Sequence, residues 1–144
     1  MLEKLFSQSG AESLGEITRL DSLLLHLGGM RGSEEYEFDG SGEMVKIRHY
    51  CFRCVDGDYT RQLVRELSCE AARVLLKLNE FGIGDWNGFK GPHPKNVSDG
   101  IMFRLEGNVN DGKRIHAEGS ANFPKHFHEF TGWINKELQN AEEA

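Results

Sequence analysis

The 144-residue chain reads as an α+β domain of two layers. The expected sheet is antiparallel, with about five strands in the order βββ-α-ββ-α. Two main helices pack on one face, and a short helix stands in front. Three observations predict this. Several runs alternate apolar and polar residues with period two, as half-buried strands do. Short clusters of Gly, Asn, Asp and Ser separate those runs, so neighbouring strands are antiparallel. Two stretches carry a single apolar stripe at helical spacing, so both helices can cover the same sheet face.

Met1–Ser9 places Leu2, Leu5 and Phe6 at helical spacing. It is too short to be stable unless it packs on something. Gly10–Leu20 is polar and reads as loop. Ser22–Leu27 is the first strand, with Leu23, Leu25 and Leu27 on one face. Glu34–Asp39 is the second, and Gly40-Ser41-Gly42 is a turn. Glu43–Val55 is a long third strand. Its apolar face begins as Val45 and Ile47 but ends as Phe52 and Cys54, of opposite parity. A β-bulge near His49–Cys51 would reconcile the halves. Thr60–Phe81 then reads as a helix, with Asp58 or Thr60 as cap. Leu63, Leu67, Ala71, Val74, Leu78 and Phe81 fall on one stripe. Gly82 suits the residue after its end.

Asp99–Gly107 and Lys113–Ser120 form a hairpin whose register can be derived. Apolar residues must face apolar residues, so paired numbers sum to an even value. A three-residue loop, Asn110-Asp111-Gly112, gives a sum of 222 if a type I turn is followed by a left-handed Gly112. That register pairs Leu105 with Ala117, Arg104 with Glu118 and Glu106 with His116. Phe127, Phe130, Ile134 and Leu138 mark the buried face of a last helix, with Asn122 or Phe123 as cap and Pro124 in its first turn. Residues 140–144 read as a frayed acidic tail of a single domain, residues 1–144.

The net charge of −6 argues against general nucleic-acid binding. No signal-peptide core or membrane-length apolar run is visible, so no membrane partner is expected. Three cysteines cannot all pair internally, and a reducing cytoplasm is the simplest location. Cys51-Phe52-Arg53-Cys54 has metal-knuckle spacing but lies within a strand, where residues three apart face opposite ways. His126 and His128 would diverge on a helix. Gly107–Lys113 resembles a phosphate loop but lacks the following Ser or Thr, and its context is strand–turn–strand. No metal and no cofactor is therefore expected.

Two surfaces and one loop remain. The sheet face away from the helices should carry Glu35, Glu37, Lys46, Arg48, Arg104, Glu106, Arg114, His116 and Glu118. Its ordinary reading is a solvated surface. Its sharper reading is a polar binding face, with His116 beside Glu106 as an acid–base pair. On the expected Thr60–Phe81 helix, Cys69, Ala72 and Leu76 form a second stripe opposite the first. The N-terminal segment or a second subunit, making a homodimer, should cover it. The connection Gly82–Asp99 is long for a compact domain and holds Trp86 and Phe89. These two aromatics read as anchors, and Lys90–Lys95 forms a local basic tip.

Trp86-Asn87-Gly88-Phe89, Asp99–Leu105, Asp111–Ser120 and Phe123-Pro124, in that order, resemble a loose group of uncharacterised bacterial proteins. Those share a W-x-G-F, DG-x-x-(W/F)-x-L, DG-x-x-I-x-A-x-G-S pattern followed by a helix-opening proline. The resemblance spans Thr60 to Leu138. It implies a bacterial cytoplasmic origin and a common fold, and it carries no catalytic residues over. The expected function is a non-catalytic binding or interaction domain. The alternative is a small-molecule binder or hydrolytic enzyme with a pocket between the 82–99 loop and the polar sheet face. Trp86, His93, Arg104, His116 and Glu118 would line that pocket.

Overall fold

Seven strands make one sheet in a computed structural model of the chain, in the order β4-β3-β2-β1-β6-β7-β5. The structure describes residues 12–29, 32–95 and 100–143. The expected N-terminal helix and its role as a cover lie outside them. The strands are β1 (Leu20–Gly29), β2 (Gly32–Ser41), β3 (Met44–Val55), β4 (Asp58–Glu70), β5 (Lys90–Gly91), β6 (Met102–Val109) and β7 (Lys113–Ser120). The helices are α1 (Ala71–Glu80) and α2 (Phe127–Glu143). The class is α+β as expected. The sheet is mixed, because β5 runs parallel to β7. Among the described residues, no helix is long and apolar enough to cross a membrane.

The largest correction falls on Thr60–Phe81. Its first half is strand β4, paired with β3 along its whole length, and only Ala71–Glu80 is helical. Asp56 (φ +52°) and Gly57 (φ +85°) make a two-residue turn between Val55 and Asp58. Left-handed geometry at both central residues is the hairpin turn that matches strand twist. Arg48 Nε donates to Glu66 Oε2 at 2.7 Å and ties β3 to β4. Leu63 therefore lies on an exposed edge strand, not on a buried helical stripe.

The bulge expected near His49–Cys51 is absent from β3, which keeps its parity throughout, and the irregularity lies on the partner strand β4. β2 and β3 pair without interruption. Between β3 and β4 the register changes at His49/Tyr50, with Arg65 opposite His49 and Leu63 opposite Tyr50, so Val64 is the additional residue. Cys51 and Cys54 consequently keep opposite faces of β3, half-buried and exposed respectively.

The β6–β7 register is as derived, Met102 with Ser120 through Val109 with Lys113. Its turn is different. Asn110, Asp111 and Gly112 all have positive φ (+48°, +60° and +95°), which excludes a type I turn. Asn110 has a reason to adopt this geometry. Its Oδ1 accepts from the Thr18 and Arg19 amides at 2.7 and 3.1 Å, and its Nδ2 donates to the Glu16 carbonyl at 2.9 Å.

Those bonds belong to a strap, residues 12–19, in the stretch expected to be plain loop. The Leu14 amide donates to the Gly84 carbonyl at 2.9 Å. Asn79 accepts from the Ile17 amide through Oδ1 at 2.7 Å and donates to the Ile17 carbonyl through Nδ2 at 2.9 Å. Ile17 is 1% exposed and belongs to the core. The rest of the core lies between one sheet face and the helices. Phe103 meets Phe127, and Phe38 meets Phe130, with ring centroids 4.8 and 6.0 Å apart. Arg73 pairs with Glu137, joining α1 to α2. Helix α2 begins at Phe127, three residues after Pro124, and His126 before it has φ +70°.

Candidate functional site

The outer sheet face carries a transverse row set by strand register. His26 lies opposite Arg104, Arg104 opposite Glu118, and Glu118 beside Lys90. Strand pleat puts all four side chains on the same face. The row continues from His26 to Glu35 and Tyr50. A cleft of about 520 Å³ lies over the β5 end of this row. His26, Lys90, His93, Met102, Arg104 and Glu118 line it, with Ser120.

Its position follows from how the long connection folds. Ile83–Trp86 forms a 3-10 turn. The Gly88 amide donates to the His116 carbonyl at 2.8 Å, and the Glu118 amide donates to the Phe89 carbonyl at 3.0 Å. Asn87 Oδ1 accepts from the His116 amide at 2.8 Å, while Asn87 Nδ2 donates to the Glu12 carbonyl at 2.8 Å. The connection is thus hydrogen-bonded along β7 and delivers Lys90 and His93 to the sheet edge. Gly91 is required for this approach, since a Cβ there would come within 2.7 Å of the Asn122 carbonyl oxygen.

The charges in the cleft are unequal. Neither Lys90 nor Arg104 forms an ion pair with a described residue. Glu118, the one carboxylate among the described lining residues, is turned toward His116, whose Nε2 is 2.9 Å from Oε1. The hydrogen bond from His116 chiefly holds the Glu118 carboxyl below its ordinary value, against burial, and Lys90 and Arg104 pull the same way. At the far end, Glu35 is 8% exposed. Its oxygens are occupied by His26 Nδ1 at 3.0 Å and Arg61 Nε at 2.9 Å. The Arg61 guanidinium also lies 3.5 Å from the Tyr50 ring centroid. That half of the row is a closed structural network, whereas the β5 end has cations to spare.

Of the residues expected to line a pocket, His93, Arg104 and Glu118 do so. His116 stands behind Glu118, and its Nδ1 is 4.0 Å from Glu106. Trp86 takes no part. It is 2% exposed, its indole N–H donates to the Lys125 carbonyl at 3.1 Å, and it packs on Phe127 and Phe130. His26, Met102 and Ser120 were not foreseen, because only the β1–β6 pairing and the parallel β5 bring them together. The second stripe does not survive. Cys69 is buried at the end of β4, while Ala72 and Leu76 are exposed on α1. His126 pairs with Glu129 at 2.9 Å, and His128 is exposed. Among the described residues, no three His, Cys, Asp or Glu side chains converge as metal ligands.

Comparison with protein families, with curated proteins and with solved structures returns no match to this chain. The functional reading rests on geometry.

Proposed function

We propose that this chain is a binding domain that holds a small anionic molecule, a carboxylate or phosphate ester, in the cleft beside β5. One observation carries the reading. Among the described residues, Lys90 and Arg104 flank the cleft without ion-pair partners, and the carboxylate of its lining, Glu118, is engaged by His116. Met102 and the Pro92 ring offer apolar surface for the body of such a ligand. Arg104 can present two parallel N–H groups to a carboxylate or phosphate. Calorimetry with benzoate, citrate and inorganic phosphate, against neutral benzamide, tests this. At least one anion should bind, and Arg104→Gln should weaken it by about 1–3 kcal/mol. Anion affinities that are immeasurable, or unchanged in Arg104→Gln, refute the reading. This reading does not require the expected homodimer.

Hydrolysis is a second reading with one observation in its favour. His93 Nδ1 lies 2.9 Å from Ser120 Oγ at the cleft. A hydroxyl within hydrogen-bond reach of a base is the minimum for nucleophilic catalysis. His93 would take the Ser120 proton as Oγ adds to an ester carbonyl, then return it to the leaving alcohol. Water would cleave the acyl-serine, with His93 again as base. A fluorophosphonate probe should label Ser120 and lose that labelling in His93→Ala. Absence of labelling removes hydrolysis and leaves anion binding standing.

A further inference from the structure

A second cavity, of about 660 Å³, opens at the end of the sheet where β1 turns into β2. Four glycines, Leu27 and Ile101 form much of its wall, so backbone and hydrocarbon dominate. Ser33, Glu34, Cys51 and Arg53 supply the polar side chains. Register places Glu34 opposite both Leu27 and Cys51, on the helix-bearing face. Among the described residues it is the only carboxylate of this lining, and it belongs to neither the anion cleft nor the outer charge row.

Glu34 is held from behind and open in front. The Tyr36 hydroxyl lies 3.0 Å from Oε1, and His49 Nε2 lies 3.6 Å from Oε2. The same Tyr36 hydroxyl is 2.8 Å from Asn135 Oδ1, and its single hydrogen serves one acceptor at a time. His49 stacks on the Tyr36 ring at 4.5 Å, and both its ring nitrogens are buried without a hydrogen-bond partner. A carboxylate has about four lone-pair sites, and here at most one receives a short donor. The Glu34 side chain remains 40% exposed where it lines the cavity. His49, and then Tyr36, hold its carboxyl below the ordinary value against the opposing effect of burial.

We infer that this cavity binds an organic ammonium with an apolar body, its N–H groups on Glu34 and its hydrocarbon against Leu27 and Ile101. The half-exposed carboxylate keeps lone pairs open on its cavity side for a charged N–H donor, and the surrounding glycine and aliphatic wall suits hydrocarbon. The site is separate from the anion cleft and has the opposite charge preference, although Gly28 borders both.

The probes are phenethylamine, L-phenylalanine and 3-phenylpropionate, titrated into the full chain. Phenethylamine or phenylalanine should bind, and phenylpropionate should not occupy this cavity. Glu34→Gln keeps the shape and an acceptor for Tyr36 but removes the charge, and should weaken amine binding by about tenfold or more. Arg104→Gln should leave amine binding unchanged. In the wild-type chain, amide resonances of Gly28, Gly29 and Ile101 should shift on amine addition, a readout independent of how any variant folds. Failure of both amines to bind, unchanged affinity in Glu34→Gln, or amide shifts confined to other parts of the chain would overturn the inference.

Discussion

Replacing Asn79 with Ala tests how the strap is fastened. Asn79 gives Ile17 both of its backbone partners, an acceptor at 2.7 Å and a donor at 2.9 Å. Alanine removes both and leaves one amide and one carbonyl of a nearly buried residue unsatisfied. Each orphaned group costs about 1–3 kcal/mol. The sum is about 2–6 kcal/mol, reduced by about 0.5 kcal/mol because alanine is the better helix former. A domain of this size shifts its melting temperature by about 2–4 °C per kcal/mol. A calorimetric melt should therefore fall by about 3–22 °C. Protease should also begin to cut within residues 12–19 under conditions that leave the parent intact. A melting temperature within about 1 °C of the parent would show that water replaces both bonds without cost, and the strap argument would fail.

Three further outcomes follow from the same geometry. In Gly84→Ala the new Cβ would lie 1.9 Å from the Gly15 carbonyl oxygen, so the strap must lift. Its loss of stability should combine with that of Asn79→Ala to less than the sum, measured by a double-mutant cycle in urea. Trp86→Phe strips the Lys125 carbonyl of its donor and shrinks a buried ring, which should cost about 2–4 kcal/mol with Trp133 left as the fluorescent reporter. Glu118 should titrate below the ordinary 4.5 by carboxyl-carbon NMR, and His116→Gln should move it upward. Because the folded value is the lower one, this pair stabilises the fold above the unfolded pKa, and the contribution disappears as pH falls through the folded pKa.

Local parity rules reached the β6–β7 hairpin with every pair in place, since the apolar residues permit only one register there. The same rules failed at Thr60–Glu70 for a definable reason. Arg61, Gln62, Leu63, Glu66 and Leu67 are good helix formers, and Val64 interrupts the period-two pattern. The available counter-signal is Asp56-Gly57, a strong hairpin dipeptide directly before this stretch. At the cleft, Arg104, Glu118 and His93 were legible as polar residues near a glycine-rich connection. His26 was not, because its place depends on β1 lying between β2 and β6, a non-local pairing. The Glu34–Tyr36–His49 cluster was hidden similarly. Glu34 looks like surface in an alternating strand until the opposite strand supplies a histidine.

The central position of β1 also has a consequence for synthesis on the ribosome. β1 is complete at residue 29, but its second neighbour, β6, is made only from residue 102 onward. The strap waits just as long for Asn110. A nascent chain emerging at about 5–20 residues per second therefore carries β1 with one open edge for several seconds. The β1–β2–β3–β4 meander can form early from local hairpins, but its apolar face has no helix α2 until Phe127–Glu143 has been made. Folding of this chain should be dominated by a late closure of high contact order, and slow translation between residues 70 and 110 would prolong the interval in which chaperones can engage it.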